Sequence, residues 1–110
     1  MVNDAEYDHV NRKLRTLEHC ALHRRTIEVT CQRCSRIKRF DAVALWWLFK
    51  RRGWDGSLPD AAKRFQCSSC LQTGFSDAIR WQVTRGRPDD DQPPYPDAAT
   101  WKRLVARYRS

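Results

Sequence analysis

The residues best suited to chemistry in this 110-residue chain are its five cysteines, four of which form two pairs. Cys31-Gln-Arg-Cys34 and Cys67-Ser-Ser-Cys70 share the spacing Cys-x-x-Cys, which lets one tight turn direct both sulfurs at a single point. Two such turns supply four soft ligands in the tetrahedral arrangement that zinc prefers. The sequence therefore predicts one structural zinc ion (Zn2+) held by Cys31, Cys34, Cys67 and Cys70.

Other uses of the paired cysteines stay open in the sequence. A thioredoxin-type redox pair needs one such motif at the start of a helix in an α/β fold, whereas this chain has two motifs and no βαβ pattern. Disulfides require an oxidising compartment, and no export signal is visible. An iron–sulfur cluster could use the same four thiolates. Because a four-cysteine zinc site has no vacant position for substrate, we expect the metal to stabilise the fold and to perform no chemistry.

Cys20 is the fifth cysteine, and the run Cys20-Ala-Leu-His23 would place two potential ligands three residues apart on a helix. Both a second metal site and a small apolar core contact for Cys20 are compatible with this pattern. All three histidines precede residue 24, and no nucleophile has a recognisable base and orienting group. We therefore do not expect an enzyme.

The elements that would position the cysteines follow from side-chain periodicity. Residues 26–30 alternate β-branched and polar side chains ahead of the first pair, while residues 37–40 and 78–84 are typical of a return strand and a closing strand. Residues 41–65 are predicted to be a helical insert between the pairs, with an N-cap at Asp41 and a helix end at Gly53. The predicted fold class is a small α+β zinc-binding domain.

The sequence divides into four segments. Apolar side chains recur at steps of three and four near both ends, as amphipathic helices require. Three consecutive Asp and four Pro separate the C-terminal pattern from the centre, and we expect domain packing to stop there. The segments are an N-terminal helix (1–24), a four-cysteine zinc-ribbon-like domain (25–86), a Pro/Asp-rich linker (87–96) and a C-terminal helix (97–110).

A known group of proteins has a similar cysteine framework. The order Cys-x-x-Cys-x-Arg, helical insert, Arg-x-x-Cys-x-x-Cys and closing strand resembles the small bacterial zinc-ribbon proteins, many of them uncharacterised. The resemblance covers roughly residues 26–85 and rests on the cysteines, although Arg64-Phe-Gln-Cys67 also fits it. The double Trp and the Pro-rich tail are not part of that pattern. Such ribbons bind DNA, RNA or other proteins, so the resemblance implies a fold more than an activity.

Positive charge is concentrated in the centre of the chain. The net charge is +8, and residues 24–87 carry fourteen Lys and Arg against five Asp and Glu. A basic domain of this kind favours polyanionic partners. The predicted nucleic-acid contacts lie near the cysteine pairs and at the end of the Trp-rich helix: Arg33, Arg36, Lys38, Arg39, Lys50, Arg51, Arg52, Lys63 and Arg64.

The expected function is binding of DNA or RNA in a transcription-related role. The alternative is a protein-interaction adaptor that uses the Trp-rich helix or the terminal helices, because Trp is enriched at interface hot spots. The candidate contacts of such an adaptor are Trp46, Trp47 and Trp54. No apolar run approaches the roughly 18 residues of a membrane span and no secretory signal is visible, so the expected location is the cytoplasm.

Overall fold

The computed structural model of the protein describes residues 4–7, 12–67 and 78–109. Short helices and three strands make up these ranges in an α+β arrangement, as the sequence predicts. The elements are a 3-10 helix (Asp4–Glu6), α1 (Leu17–Leu22), β1 (Thr26–Cys31), β2 (Ile37–Asp41), α2 (Ala42–Arg52), α3 (Leu58–Ala62), β3 (Ile79–Thr84) and α4 (Ala98–Arg109).

The strands form one antiparallel sheet in the order β2-β1-β3. The central strand β1 pairs with β2 from Thr26 opposite Asp41, and with β3 from Thr26 opposite Thr84. Ile27 and Val29 alternate with more exposed residues along β1 and bury one face of the sheet in the core. The three predicted strands are confirmed, and the first cysteine pair begins at the last residue of β1.

Helix α2 has the boundaries that the sequence predicts. The Asp41 carboxylate accepts a hydrogen bond from the Val43 amide at 2.9 Å and caps the N-terminus. Gly53 ends the helix with a left-handed φ of 68°, a conformation that costs any residue with a side chain more than it costs glycine. Most of the helix surface is buried, because Ala42 to Trp46 and Phe49 all lie in the core. Helix α2 therefore forms a large part of the core.

The N-terminal region differs from the single amphipathic helix predicted for it. Among residues 4–7 and 12–24, regular α-helix is confined to α1, and Tyr7 and Lys13 form an antiparallel bridge before it. The Arg25 guanidinium donates hydrogen bonds to the carbonyl oxygens of Ala5 and Tyr7, at 2.9 and 3.1 Å. These carbonyls are directed at Arg25 rather than along a helix axis, because the partly buried guanidinium needs hydrogen-bond acceptors there.

Residues 87–96, predicted to be a linker, instead lie along the outer edge of β2, and we call them the edge strap. The Asp89 amide donates to the Arg39 carbonyl and the Asp89 carboxylate accepts from the Arg39 amide, both at 3.0 Å. The Gln92 side chain accepts from the Asp41 amide at 2.9 Å and donates to the Arg39 carbonyl at 2.8 Å. An edge strand exposes backbone groups that need partners, and the edge strap supplies them.

The C-terminal helix α4 packs on α1 and α2. Trp101 meets Trp46 edge to face with ring centroids 6.1 Å apart, and Leu104 is 3% exposed. The Tyr108 hydroxyl donates a hydrogen bond to the Glu18 carboxylate of α1. The predicted C-terminal helix is confirmed, and it belongs to the core. At 12 residues α4 is the longest helix of the described ranges, none of which holds a helix that could cross a membrane.

Candidate metal centre

Three cysteine sulfurs meet at one end of the sheet. Cys31 ends β1, Cys34 lies in the turn that follows, and Cys67 comes after α3. Their sulfur atoms all lie within 4.8 Å of one another, and those of Cys34 and Cys67 are 3.3 Å apart. A tetrahedral site with Zn–S bonds of about 2.3 Å places its sulfurs about 3.8 Å apart. The three residues, here called the thiol cluster, could therefore hold a metal ion.

The turn between β1 and β2 fixes the first two sulfurs. The Cys31 amide donates to the Arg36 carbonyl at 2.8 Å, which closes the loop that contains Cys34. Ser35 has a left-handed φ of 62°, and this reversal directly after Cys34 folds the chain back toward β2. The Gln32 amide donates to the Ala78 carbonyl at 2.7 Å and attaches the turn to the start of β3.

The third sulfur is held by the packing of the segment after α3. Phe65 is 5% exposed and stacks on Phe40 of β2 with ring centroids 6.5 Å apart. This aromatic pair brings Cys67, two residues later, against the end of the sheet. Cys31 and Cys67 are buried and Cys34 is exposed, so the thiol cluster lies at the rim of the core. The helical insert thus returns the chain to the first cysteine turn, as predicted.

Cys70, the fourth predicted ligand, lies outside the described residues. The donor set that the structure describes consists of three thiols from two parts of the chain. Thiolates select soft ions such as zinc and discriminate against hard cations such as magnesium. The residues present therefore fit a thiophilic metal, and the expectation of a metal-binding cysteine group is met at this level.

Cys20 is separate from the thiol cluster. It is fully buried on α1, and this burial raises the pKa of its thiol to about 12, although the nearby charge of Arg25 acts in the opposite direction. At neutral pH it is a protonated core side chain. Within the described ranges, the thiol cluster is the only group of three or more His, Cys, Asp or Glu close enough to share an ion. A second metal site at Cys20 and His23 gains no support from them.

The nine basic residues predicted to contact nucleic acid fall into two groups. Three are held by carboxylates: Lys38, Arg39 and Lys63 lie 3.9, 3.2 and 3.5 Å from Asp91, Glu28 and Asp60. The other six are exposed, and no carboxylate of the described residues lies within 4 Å of their charged nitrogens. This unpaired group, which we call the open cations, consists of Arg33, Arg36, Lys50, Arg51, Arg52 and Arg64.

Tryptophan rings position four of the open cations. At the end of α2, the Lys50 ammonium lies 5.8 Å from the ring centroid of Trp46, and the Arg51 guanidinium lies 5.8 Å from that of Trp47. Each pair is separated by four residues, the spacing of neighbours on a helix surface. The four-residue spacing is present in the sequence, but spacing alone does not distinguish a cation over a ring from a solvated one. The contacts are cation–π interactions, which restrain the side chains without neutralising them.

Trp54 lies beside two further cations, one at the end of α2 and one in the turn after α3. The Arg64 guanidinium lies 4.3 Å from its ring centroid and that of Arg52 lies 5.6 Å from it. The indole is half-buried and meets Phe49 edge to face at 5.2 Å, so the core fixes its position. Two like charges on one ring form a site where a single anion can meet both.

The three tryptophans predicted as adaptor contacts are buried or half-buried. Trp46 is 6% exposed and packs against both Trp47 and Trp101. Trp47 and Trp54 are half-buried and carry cations on their rings. Much of the aromatic surface counted as potential interface is therefore used within the chain.

Comparison with protein-family models, curated proteins and solved structures found no match for this chain. Membership of the bacterial zinc ribbons therefore stays a prediction from the cysteine framework.

Proposed function

We propose that this protein binds nucleic acid through its open cations and that one structural zinc ion, held by Cys31, Cys34, Cys67 and Cys70, stiffens the end of the domain that presents part of them. The observation that carries the proposal is the set of four cations held on tryptophan rings with no carboxylate of the described residues beside them. A role in transcription is the corresponding cellular expectation.

The open cations have the properties that phosphate binding requires. A Lys or Arg paired with a carboxylate must give up that partner before it can neutralise a phosphate, whereas an unpaired one releases only solvent and counterions. A guanidinium above an aromatic ring keeps its N–H edge available for two parallel hydrogen bonds to phosphate oxygens. Because the ring also limits side-chain motion, less conformational entropy is lost when the phosphate binds.

The metal contributes to this function by position rather than by charge. Four thiolates around Zn2+ carry a net charge of about −2, which repels phosphates. Arg33 lies between the cysteines of the first turn and Arg36 lies two residues after it, so their charges offset that of the site. A zinc ion with four sulfur ligands has no vacant coordination position, and its role is to hold this turn against the segment after α3.

Binding of labelled DNA measured by fluorescence anisotropy over a range of salt concentrations tests the proposal. For duplex DNA, the slope of log affinity against log salt is negative. Replacing three open cations with Gln should make this slope shallower by about 2 to 3, since each phosphate contact contributes about 0.9 to its magnitude. The test variant is Arg51→Gln/Arg52→Gln/Arg64→Gln, and the matched control with the same loss of charge is Lys63→Gln/Lys102→Gln/Arg103→Gln.

The control should retain most of the affinity and of the salt slope, because Lys63 is paired with Asp60 and the other two side chains lie on α4. Equal losses of DNA affinity in the two triple variants would show that only net charge matters. That result would contradict binding at a surface formed by the open cations. Binding that barely changes with salt would contradict the proposal as a whole.

A further inference from the structure

A cleft of about 300 Å³ opens beside the thiol cluster. Val29, Phe40 and Ile79, one from each strand, form its apolar wall. Cys31 and Cys67 of the thiol cluster also line it. Small-molecule sites in proteins begin at about this volume and combine an apolar wall with a few polar groups. The cleft is large enough for a planar heterocycle.

The rim of the cleft is polar and basic. Arg36 and Gln66 are exposed there, and Arg36 is one of the open cations. Lys38 lies over the ring of Phe40, with its ammonium 5.7 Å from the ring centroid. The edge strap directs two oxygens of Asp91 at that ammonium: the backbone carbonyl accepts a hydrogen bond, and the carboxylate lies 3.9 Å away with its side chain fully exposed to solvent. Oxygen atoms of Asp91 thus occupy the place that a phosphate would take.

We propose that this cleft is a subsite for one unstacked nucleotide of single-stranded nucleic acid. The base stacks on Phe40, whose ring also packs against the ring of Phe65. Lys38 leaves the ring and, together with Arg36, binds the adjacent phosphate in place of Asp91. Gln66 offers both a donor and an acceptor to the edge of the base.

The subsite rests on the proposed function and adds a substrate class to it. Electrostatic contacts alone bind any phosphate backbone, whereas stacking on an aromatic ring requires a base that is accessible. In a duplex the base must first be unpaired and unstacked, which weakens binding. Single strands should therefore be preferred over duplexes of the same charge.

Three labelled probes of equal length separate the contribution of the base from that of the backbone: oligo-thymidine, an abasic deoxyribose-phosphate strand and a duplex. With the zinc-loaded full chain, fluorescence anisotropy should show oligo-thymidine binding about tenfold more tightly than the abasic strand. Phe40→Leu, which keeps an apolar side chain, and Gln66→Ala should each reduce this ratio. Arg64→Gln should weaken both strands equally and leave the ratio unchanged.

Asp91→Asn provides an independent test, because removing the competing carboxylate should strengthen binding of oligo-thymidine. Glu6→Gln makes the same change in charge on the 3-10 helix and should have the smaller effect. Equal affinities for oligo-thymidine and the abasic strand overturn the subsite but leave salt-dependent binding intact. No binding of any probe overturns the proposed function and the subsite together. If Phe40→Leu unfolds, an unchanged ratio in the exposed variant Gln66→Ala is sufficient to overturn the subsite.

Discussion

Cys34 and Cys20 illustrate at the residue scale how one side-chain type takes two roles in a small domain. The Cys34 sulfur is exposed and lies 3.3 Å from that of Cys67, where a metal can bind thiolates. Cys20 is surrounded by core residues, and burial keeps its thiol protonated. The spacing of the paired cysteines distinguished these roles in the sequence, because Cys20 has no partner at Cys-x-x-Cys distance.

Substitution of Cys34 should therefore remove metal, whereas substitution of Cys20 should not. We expect Cys34→Ser to bind well under one zinc per chain and to lose several kcal/mol of unfolding free energy, since metal ligation contributes on the order of 10 kcal/mol in small zinc domains. The control Cys20→Ala should keep its metal and lose about 1 kcal/mol through a small cavity. Metal analysis and urea unfolding of both variants measure this. Normal zinc content in Cys34→Ser would contradict the role of the thiol cluster.

The raised pKa of Cys20 makes stability depend on alkaline pH. The folded state keeps this thiol protonated up to a pKa of about 12, while the unfolded chain releases the proton near 9.0. Between these values the unfolded state binds fewer protons, so stability falls as pH rises, by at most about 1.4 kcal/mol per pH unit. Urea unfolding across this window should show a shallower decline for Cys20→Ala than for the wild type. Parallel declines would mean that Cys20 does not titrate in this way.

Among the helices, strands and connecting segments, sequence-based prediction succeeded best where the signals are local. Asp41 and Gly53 lie directly at the ends of α2, and the strand alternation of β1 is visible over six residues. The edge strap and the N-terminal region depend on partners far along the chain: Asp89 binds Arg39, 50 residues away, and Arg25 binds Ala5, 20 residues away. No periodicity within either segment records those contacts, so a Pro/Asp-rich stretch resembles a linker until its partner is known.

The edge strap makes a prediction about the edge strand β2. Gln92→Ala removes the side chain that pairs with the Asp41 amide and the Arg39 carbonyl. We expect a loss of about 1–3 kcal/mol and faster hydrogen exchange at the Asp41 amide, since this partly buried N–H would lose its acceptor. Asp90→Ala is the control, because its carboxylate is exposed and lies 3.8 Å from the Arg87 guanidinium rather than against β2. Unchanged exchange at Asp41 in Gln92→Ala would show that the edge strap is not held by this contact.

Helix α4 should behave as part of the core rather than as a tail. Leu104 is 3% exposed, so Leu104→Ala should lower the free energy of unfolding by about 2–5 kcal/mol in urea unfolding experiments. Lys102 is exposed on the same helix, and Lys102→Ala should change stability by less than about 0.5 kcal/mol. If Leu104→Ala changed the free energy of unfolding no more than Lys102→Ala, the packing of α4 would not contribute to stability.

At the scale of the whole molecule, the candidate site was only partly predictable. Cysteine spacing predicted the thiol cluster of Cys31, Cys34 and Cys67, because a metal site imposes a local pattern. The division of the basic residues did not follow from the sequence, since Lys38 meets Asp91 across 53 residues and the Arg64 guanidinium lies over Trp54 from the turn after α3. The radius of gyration of 13.9 Å is close to the roughly 13 Å of a compact domain of this length, in agreement with the edge strap and α4 packing on the sheet and helices.

The proposed metal site requires that thiolates from two distant parts of the chain share one zinc ion on which folding depends. Metal analysis of protein purified under reducing conditions, followed by thermal unfolding with and without a strong chelator, tests it most directly. We predict one zinc per chain and loss of the cooperative unfolding transition when the zinc is removed. Protein that contains no stoichiometric metal and still unfolds cooperatively in the presence of chelator would contradict the claim.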